Sequence, residues 1–104
     1  NYELAGMDLK NSDLSYFDLT QTDLSDANLD GVNFSGTTFL YTNVAGATFG
    51  NANGINSNDL KKARNWVFAY YGDTLLKEMK LPAEHSKNIK NKVFDAATYI
   101  RITK

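Results

Sequence analysis

Carboxylates at regular intervals are the residues of this sequence that most invite a chemical reading. Asp8, Asp13, Asp18 and Asp23 stand five residues apart, each one position before a leucine. On an extended segment neighbouring side chains point to opposite sides, so these acids face away from whatever the leucines face. They ring one stretch of chain rather than lining a single side. On their own they read as solvated carboxylates that hydrogen-bond turn amides. His85 is the only histidine. A general base or a metal site needs companions, and no His, Cys or carboxylate cluster accompanies it at ligand spacing. It is expected on an exposed helix face. Serines and threonines are plentiful, but none sits in a nucleophile-elbow pattern. The glycines form no phosphate-cradling loop. With no cysteine, disulfides and thiolate metal sites are excluded. The expectation is no catalytic residue, no metal and no cofactor, hence not an enzyme.

Charge divides the chain in two. Residues 1–57 carry Glu3, Asp8, Asp13, Asp18, Asp23, Asp26 and Asp30 against Lys10, a net of -6. Residues 58–104 carry ten Lys or Arg against Asp59, Asp73, Glu78, Glu84 and Asp95, a net of +5. The shift falls near Asn56, which places a boundary between units 1–56 and 57–104 of one compact domain. Lys61, Lys62, Lys87, Lys90 and Lys92 are interleaved with acids and read as a solvated helix face rather than a nucleic-acid or membrane surface. No apolar run is long enough to span a membrane. No signal peptide is visible, and the start at Asn1 is expected to mark a processed or trimmed piece.

The elements that position these residues follow from a strict period of five. Leu4, Leu9, Leu14, Leu19, Leu24, Leu29, Phe34, Phe39, Val44 and Phe49 recur without a break. Before each stands an acid, an amide or a threonine. Two positions before each lies a mostly smaller residue: Ser12, Thr22, Ala27, Val32, Thr37, Thr42, Ala47. A five-residue period fits neither a helix nor a plain strand. The small and large residues of a unit share one face of an extended segment. A turn must then follow each unit, and the frequent Gly, Asn, Asp and Ser there suit tight turns. The simplest solution is a coil that turns a corner every five residues and stacks on itself, burying its apolar columns only against neighbouring coils.

Units such as Ser12-Asp13-Leu14-Ser15-Tyr16, Ala27-Asn28-Leu29-Asp30-Gly31 and Val32-Asn33-Phe34-Ser35-Gly36 resemble the pentapeptide-repeat family. The resemblance implies a mainly β solenoid: a right-handed quadrilateral β-helix, here of just under three coils, closed by a C-terminal α-helical cap. Residues twenty apart would then stack, giving inner columns Leu4–Leu24–Val44, Leu9–Leu29–Phe49, Leu14–Phe34 and Leu19–Phe39. Tyr2, Met7 and Phe17 occupy positions where the family prefers a small residue. They are expected to cover the open N-terminal end, the alternative being contact with an upstream segment or another subunit.

From Asn56 the period changes. Asn56 reads as an N-cap with Asp59 at N3. Leu60, Ala63, Val67 and Tyr70 then form one apolar stripe at helical spacing, ended by Gly72 as a C′ residue. Asp73 is expected to cap a second helix with Leu75, Leu76 and Met79 inward, stopped by Leu81-Pro82. A third helix is expected over about residues 83–102, with Ile89, Val93, Ala97 and Ile100 on one face. Residues 54–82 resemble a tail found in bacterial, especially cyanobacterial, members of the same family, Asn65-Trp66 being the most specific point. A structural cap of Trp66, Leu60, Val67 and Tyr70 is expected over the last coil, where unpaired backbone and an apolar column end need cover. A ligand-stacking role is the alternative for Trp66.

The functional expectation is a non-catalytic protein-binding or scaffolding module of bacterial type, monomeric or an end-to-end dimer, with neither nucleic acid nor membrane expected as a partner. The cytoplasm is favoured, with the periplasm and the thylakoid lumen as alternatives. The resemblance adds a second reading, a DNA-mimicking inhibitor of a type II topoisomerase, with Asp8, Asp13, Asp18 and Asp23 as its partner-binding surface. Against it stand the short span of the coils and the Asn or Thr residues that stack beside the acids. A third reading is assembly through the open N-terminal coil.

Overall fold

The computed structural model describes residues 1–91. The chain turns a corner every five residues, and always in the same way. The amide three residues beyond each large apolar residue donates back to that residue's carbonyl: Met7 to Leu4 at 3.2 Å, Ser12 to Leu9 at 3.0 Å, and so on to Ala52 and Phe49 at 3.3 Å. The third residue of each turn has a positive φ: Gly6, Asn11, Tyr16, Gln21, Asp26, Gly31, Gly36, Tyr41, Gly46 and Asn51. That is the requirement of a type II turn.

Four such corners complete a coil, because parallel bridges join residues twenty apart. Glu3 pairs with Asp23 and Asp23 with Asn43, while Asp8 pairs with Asn28 and Asn28 with Thr48. Asp13 pairs with Asn33, Asn33 with Asn53, and Asp18 with Thr38. The bonds alternate in direction. Leu4 N–H donates to Asp23 C=O at 2.8 Å, and Asp23 N–H returns to Tyr2 C=O at 2.9 Å. The architecture is therefore a β-solenoid. Corners this frequent leave room for little more than one bridged residue per side. Among the described residues, only Thr48–Phe49 (β1) and Tyr70–Tyr71 (β2) form a longer pair, in parallel register.

The apolar columns fill the interior. Leu19, Leu24, Leu29, Phe34, Phe39, Val44 and Phe49 are buried, and Leu14 is nearly so. Phe34 meets Phe39 edge-on at 5.1 Å between centroids and Phe49 at 5.8 Å. Leu4 and Leu9, expected in the core, are only partly buried beside it. Tyr2, Met7 and Phe17 are about half exposed, so they shield the first coil incompletely.

The C-terminal segment departs most from the sequence reading. A single helix carrying Leu60, Ala63, Val67 and Tyr70 does not form. Helix α1 spans Ser57–Leu60 only, capped by Asn56, whose side chain accepts the Asp59 amide at 3.0 Å. A 3-10 turn, Trp66–Phe68, follows after Asn65 at φ 65. The reason is the backbone edge of the preceding coil. Tyr41 N–H donates to Lys62 C=O, Arg64 N–H to Thr42 C=O and Val44 N–H to Arg64 C=O, at 3.0, 2.7 and 3.1 Å. These edge groups need partners, and the chain abandons the helix to supply them. Arg64 pairs with Asn43, and β2 continues the ladder beside β1. The ladder thus runs past residue 56, where the period ends. The buried residues are Leu60, Ala63, Trp66, Ala69 and Tyr71, whereas Val67 and Tyr70 are only partly covered.

Gly72 is extended at φ -70 and serves as the N-cap of helix α2, Asp73–Glu78, so it is neither a left-handed terminator nor replaced as cap by Asp73. Leu75, Met79 and Leu81 are buried, and Leu76 packs beside them. Helix α3 spans His85–Lys90. The expected helix over 83–102 extends beyond the described residues, which leaves Val93, Ala97 and Ile100 outside them.

Candidate interaction face

The regular corners decide where each candidate side chain sits. Asp8, Asp13, Asp18 and Asp23 fall on four successive sides of the solenoid and do not converge. Each carboxylate accepts the amide two residues ahead: Lys10 at 3.2 Å, Ser15 at 3.0 Å, Thr20 at 3.0 Å and Ser25 at 2.9 Å. These are Asx turns, which stiffen the approach to the corner. The Ser15 hydroxyl, and after it the Ser15 amide, holds Asp13 below the usual carboxylate range. Thr20 does the same for Asp18, and Ser25 for Asp23. Down the stack Asn33 donates to Asp13 and Asn43 to Asp23, so amides separate the charges.

His85 is buried rather than exposed. Its Nε2 lies 2.8 Å from Ala69 C=O, and its ring stacks on Tyr71 at 6.1 Å. Tyr71 stacks in turn on Phe49 at 5.4 Å and donates its hydroxyl to Trp66 C=O. Burial lowers the His85 pKa and raises that of Tyr71. Trp66 is covered, with Lys61 Nζ 5.4 Å from its ring centre. Among the described residues no group of three or more His, Asp or Glu is placed to hold a metal ion.

One side of the solenoid stands apart. It is built from residues 17–21 and 37–41 and flanked by corners at Tyr16 and Tyr41. Tyr16 is 82% exposed, Tyr41 55% and Leu40 41%. Both tyrosines hold left-handed backbone, at φ 62 and 58, where a bulky L-residue is strained by roughly 1 kcal/mol or more. Backbone contacts hold each corner. Tyr16 N–H donates to Ser35 C=O at 2.8 Å. Arg64 Nε donates to Tyr41 C=O at 3.1 Å. The Tyr16 ring lies over Gly36, where an added methyl would strike it.

This side also has the deepest interruption of the ladder. Asp18 bridges Thr38, but no third rung follows Thr38 among the described residues. Asn58, twenty residues beyond Thr38, lies in helix α1 and supplies no bridge. A groove of about 390 Å³ opens there, lined by Thr37, Thr38, Phe39, Leu40, Asp59 and Lys62.

A period of five, a left-handed corner after every unit and parallel bridges at twenty residues define one repeat. Residues 3–39 match the family of pentapeptide repeats in eight copies. Residues 3–39 are a run of pentapeptide repeats. No curated protein matches it. Members of such a family are in general non-enzymatic structural or binding modules, and the pentapeptide units here place their polar side chains around the coil with no convergence. The pentapeptide pattern also shows what sequence reading missed. Tyr16, Leu40 and Tyr41 occupy the outer positions of their units, and the signal was available as a bulky residue where a turn favours Gly or Asn.

Proposed function

We propose that this chain is a non-catalytic protein-binding module, a right-handed quadrilateral solenoid of just under three coils with residues 57–91 as its C-terminal cap. Its binding surface is the side formed by residues 17–21 and 37–41. The observation that carries this reading is the pair of exposed tyrosines held in left-handed backbone at the two corners of that side. Local strain kept at an exposed position points from structure to function. Tyrosine is enriched among the residues that dominate protein interfaces, because it covers a large area at low entropy cost. The aspartates give less support to a DNA-like surface, since each serves a turn and stacks beside an amide or a threonine.

The test separates fold from binding. Asn tolerates positive φ, so Tyr16→Asn and Tyr41→Asn keep the corners while removing the rings. Affinity capture from the native cell with wild type and with the double variant is then compared. The expected outcome is a partner protein lost by the double variant while its melting temperature is unchanged or higher. Retention of every captured partner by a folded double variant overturns the reading.

A further inference from the structure

The interrupted rung beside Thr38 has a defined hydrogen-bonding demand. Elsewhere in the solenoid, the residue on the next coil uses both of its backbone groups. Its carbonyl accepts from the large apolar residue, as Asn43 does from Leu24 at 2.8 Å, and its amide donates to the small one, as Asn43 does to Thr22 at 2.9 Å. The same pair recurs for Asn53, which accepts from Phe34 at 2.8 Å and donates to Val32 at 3.0 Å. At the interrupted rung the equivalent groups are Phe39 N–H and Thr37 C=O. Among the described residues neither has a partner. Phe39 is buried in the core, so its amide direction is set by the coil.

The groove around this pair is of a size that holds ligands. Its two ends carry opposite charge. Lys62 C=O pairs with Tyr41 N–H, which puts Lys62 at the Leu40 end; Asn53 pairs with Asn33, so Asp59, between the two in the chain, falls on the Thr37 side of Lys62. Leu40 supplies an exposed apolar contact at the Lys62 end. An extended backbone is the chemistry that satisfies a donor and an acceptor at this spacing.

We propose that this open rung takes an extended segment of a partner protein by strand addition. The segment runs parallel to residues 37–40, with a basic residue toward Asp59 and an acidic residue toward Lys62. The inference rests on the reading of this side as the binding surface. One residue of the segment bridges Thr38, its carbonyl accepting from Phe39 N–H and its amide donating to Thr37 C=O. Backbone bonds supply the anchoring, and the two charges fix direction and register.

The probe is the capped peptide acetyl-Lys-Thr-Val-Thr-Glu-amide, titrated into the ¹⁵N-labelled full chain. The expected result is a saturable shift of the Phe39 amide with a dissociation constant on the order of 1 mM. Hydrogen exchange at that amide should slow by about tenfold or more. Methylating the valine nitrogen of the peptide should weaken binding about tenfold, and so should exchanging its Lys and Glu. The double variant Asp59→Lys with Lys62→Asp should restore binding of the exchanged peptide. The proposal is overturned by an unmoved Phe39 amide, by equal binding of the N-methylated peptide, or by a Phe39 amide already protected in the free chain through occupation of the groove by residues 92–104. If the peptide fails while partner capture still depends on Tyr16 and Tyr41, only this inference falls and the binding surface stands.

Discussion

The repeats and the segment after them solve one problem with different means. In residues 2–55 every side chain has its place dictated by its position in a five-residue unit, and the same turn recurs at each corner. In residues 57–91 no unit repeats, yet Arg64 and Tyr70 fall into the ladder beside Asn43 and Thr48. The backbone edge of one coil imposes its geometry on the chain that follows, whatever that chain's own periodicity. The interior is continued in a similar way. A chain of aromatic contacts runs from Phe34 to Phe49, then to Tyr71 and His85. The two regions therefore share one core, and the variants below test how far they act as one unit.

The largest effect is expected at the centre of the shared core. Phe34→Ala should cost about 3–5 kcal/mol, and Trp66→Ala a comparable amount, because each leaves a large cavity. Urea unfolding followed by both far-ultraviolet circular dichroism and tryptophan fluorescence checks this in the Phe34 variant. Coincident transitions mean one cooperative unit, and separate transitions mean that the segment unfolds without the repeats.

Corner glycines give a smaller effect with a built-in control. Gly36 and Gly6 have nearly equal φ, 71 and 72. A methyl on Gly36 meets the Tyr16 ring, whereas one on Gly6 meets nothing. Gly6→Ala should cost about 1–2 kcal/mol, the left-handed penalty alone. Gly36→Ala should cost more, and the excess should vanish in a Tyr16→Asn background. An equal cost at the two sites would mean that the ring moves aside freely.

Acidification separates the two regions by their titrating groups. His85 is buried with its pKa lowered by desolvation, so the folded chain favours its neutral form. Stability contributed this way is complete above the unfolded value of about 6.5 and declines as pH falls below it. Thermal melts from pH 7.5 to 5 should show this decline, and His85→Gln should flatten it.

The smallest effects belong to the repeat aspartates. Asp13, Asp18 and Asp23 have lowered pKa values, so their contribution is present above the unfolded pKa of about 3.9 and is lost as pH falls through the lower folded value. Being exposed, they add little. Asp18→Asn keeps the acceptor for Thr20 N–H and should change the melting temperature by no more than a degree or two near pH 7, while weakening the acid sensitivity below pH 4.

The amino-acid sequence by itself determined the solenoid. Ten large apolar residues at one spacing, each preceded by a polar one, specify which side chains go inward and where the chain must turn. That information is local, written within each unit and repeated. The Asn56 cap was equally legible, because its partner Asp59 is three residues away. Tertiary structure alone decided the rest. The stripe Leu60, Ala63, Val67 and Tyr70 has helical spacing, but hydrogen-bonding groups at Tyr41, Thr42 and Val44, some twenty residues earlier, outcompete the helix. His85 looked like a surface residue because its partners lie at and just before strand β2, Tyr71 on it and Ala69 at the end of the 3-10 turn, a path that the same competition creates. The open rung at Thr38 arises because a well-capped helix begins where a bridging residue would otherwise stand. A backbone edge carries no signature in side-chain pattern, so its demands become visible only once the coils are stacked.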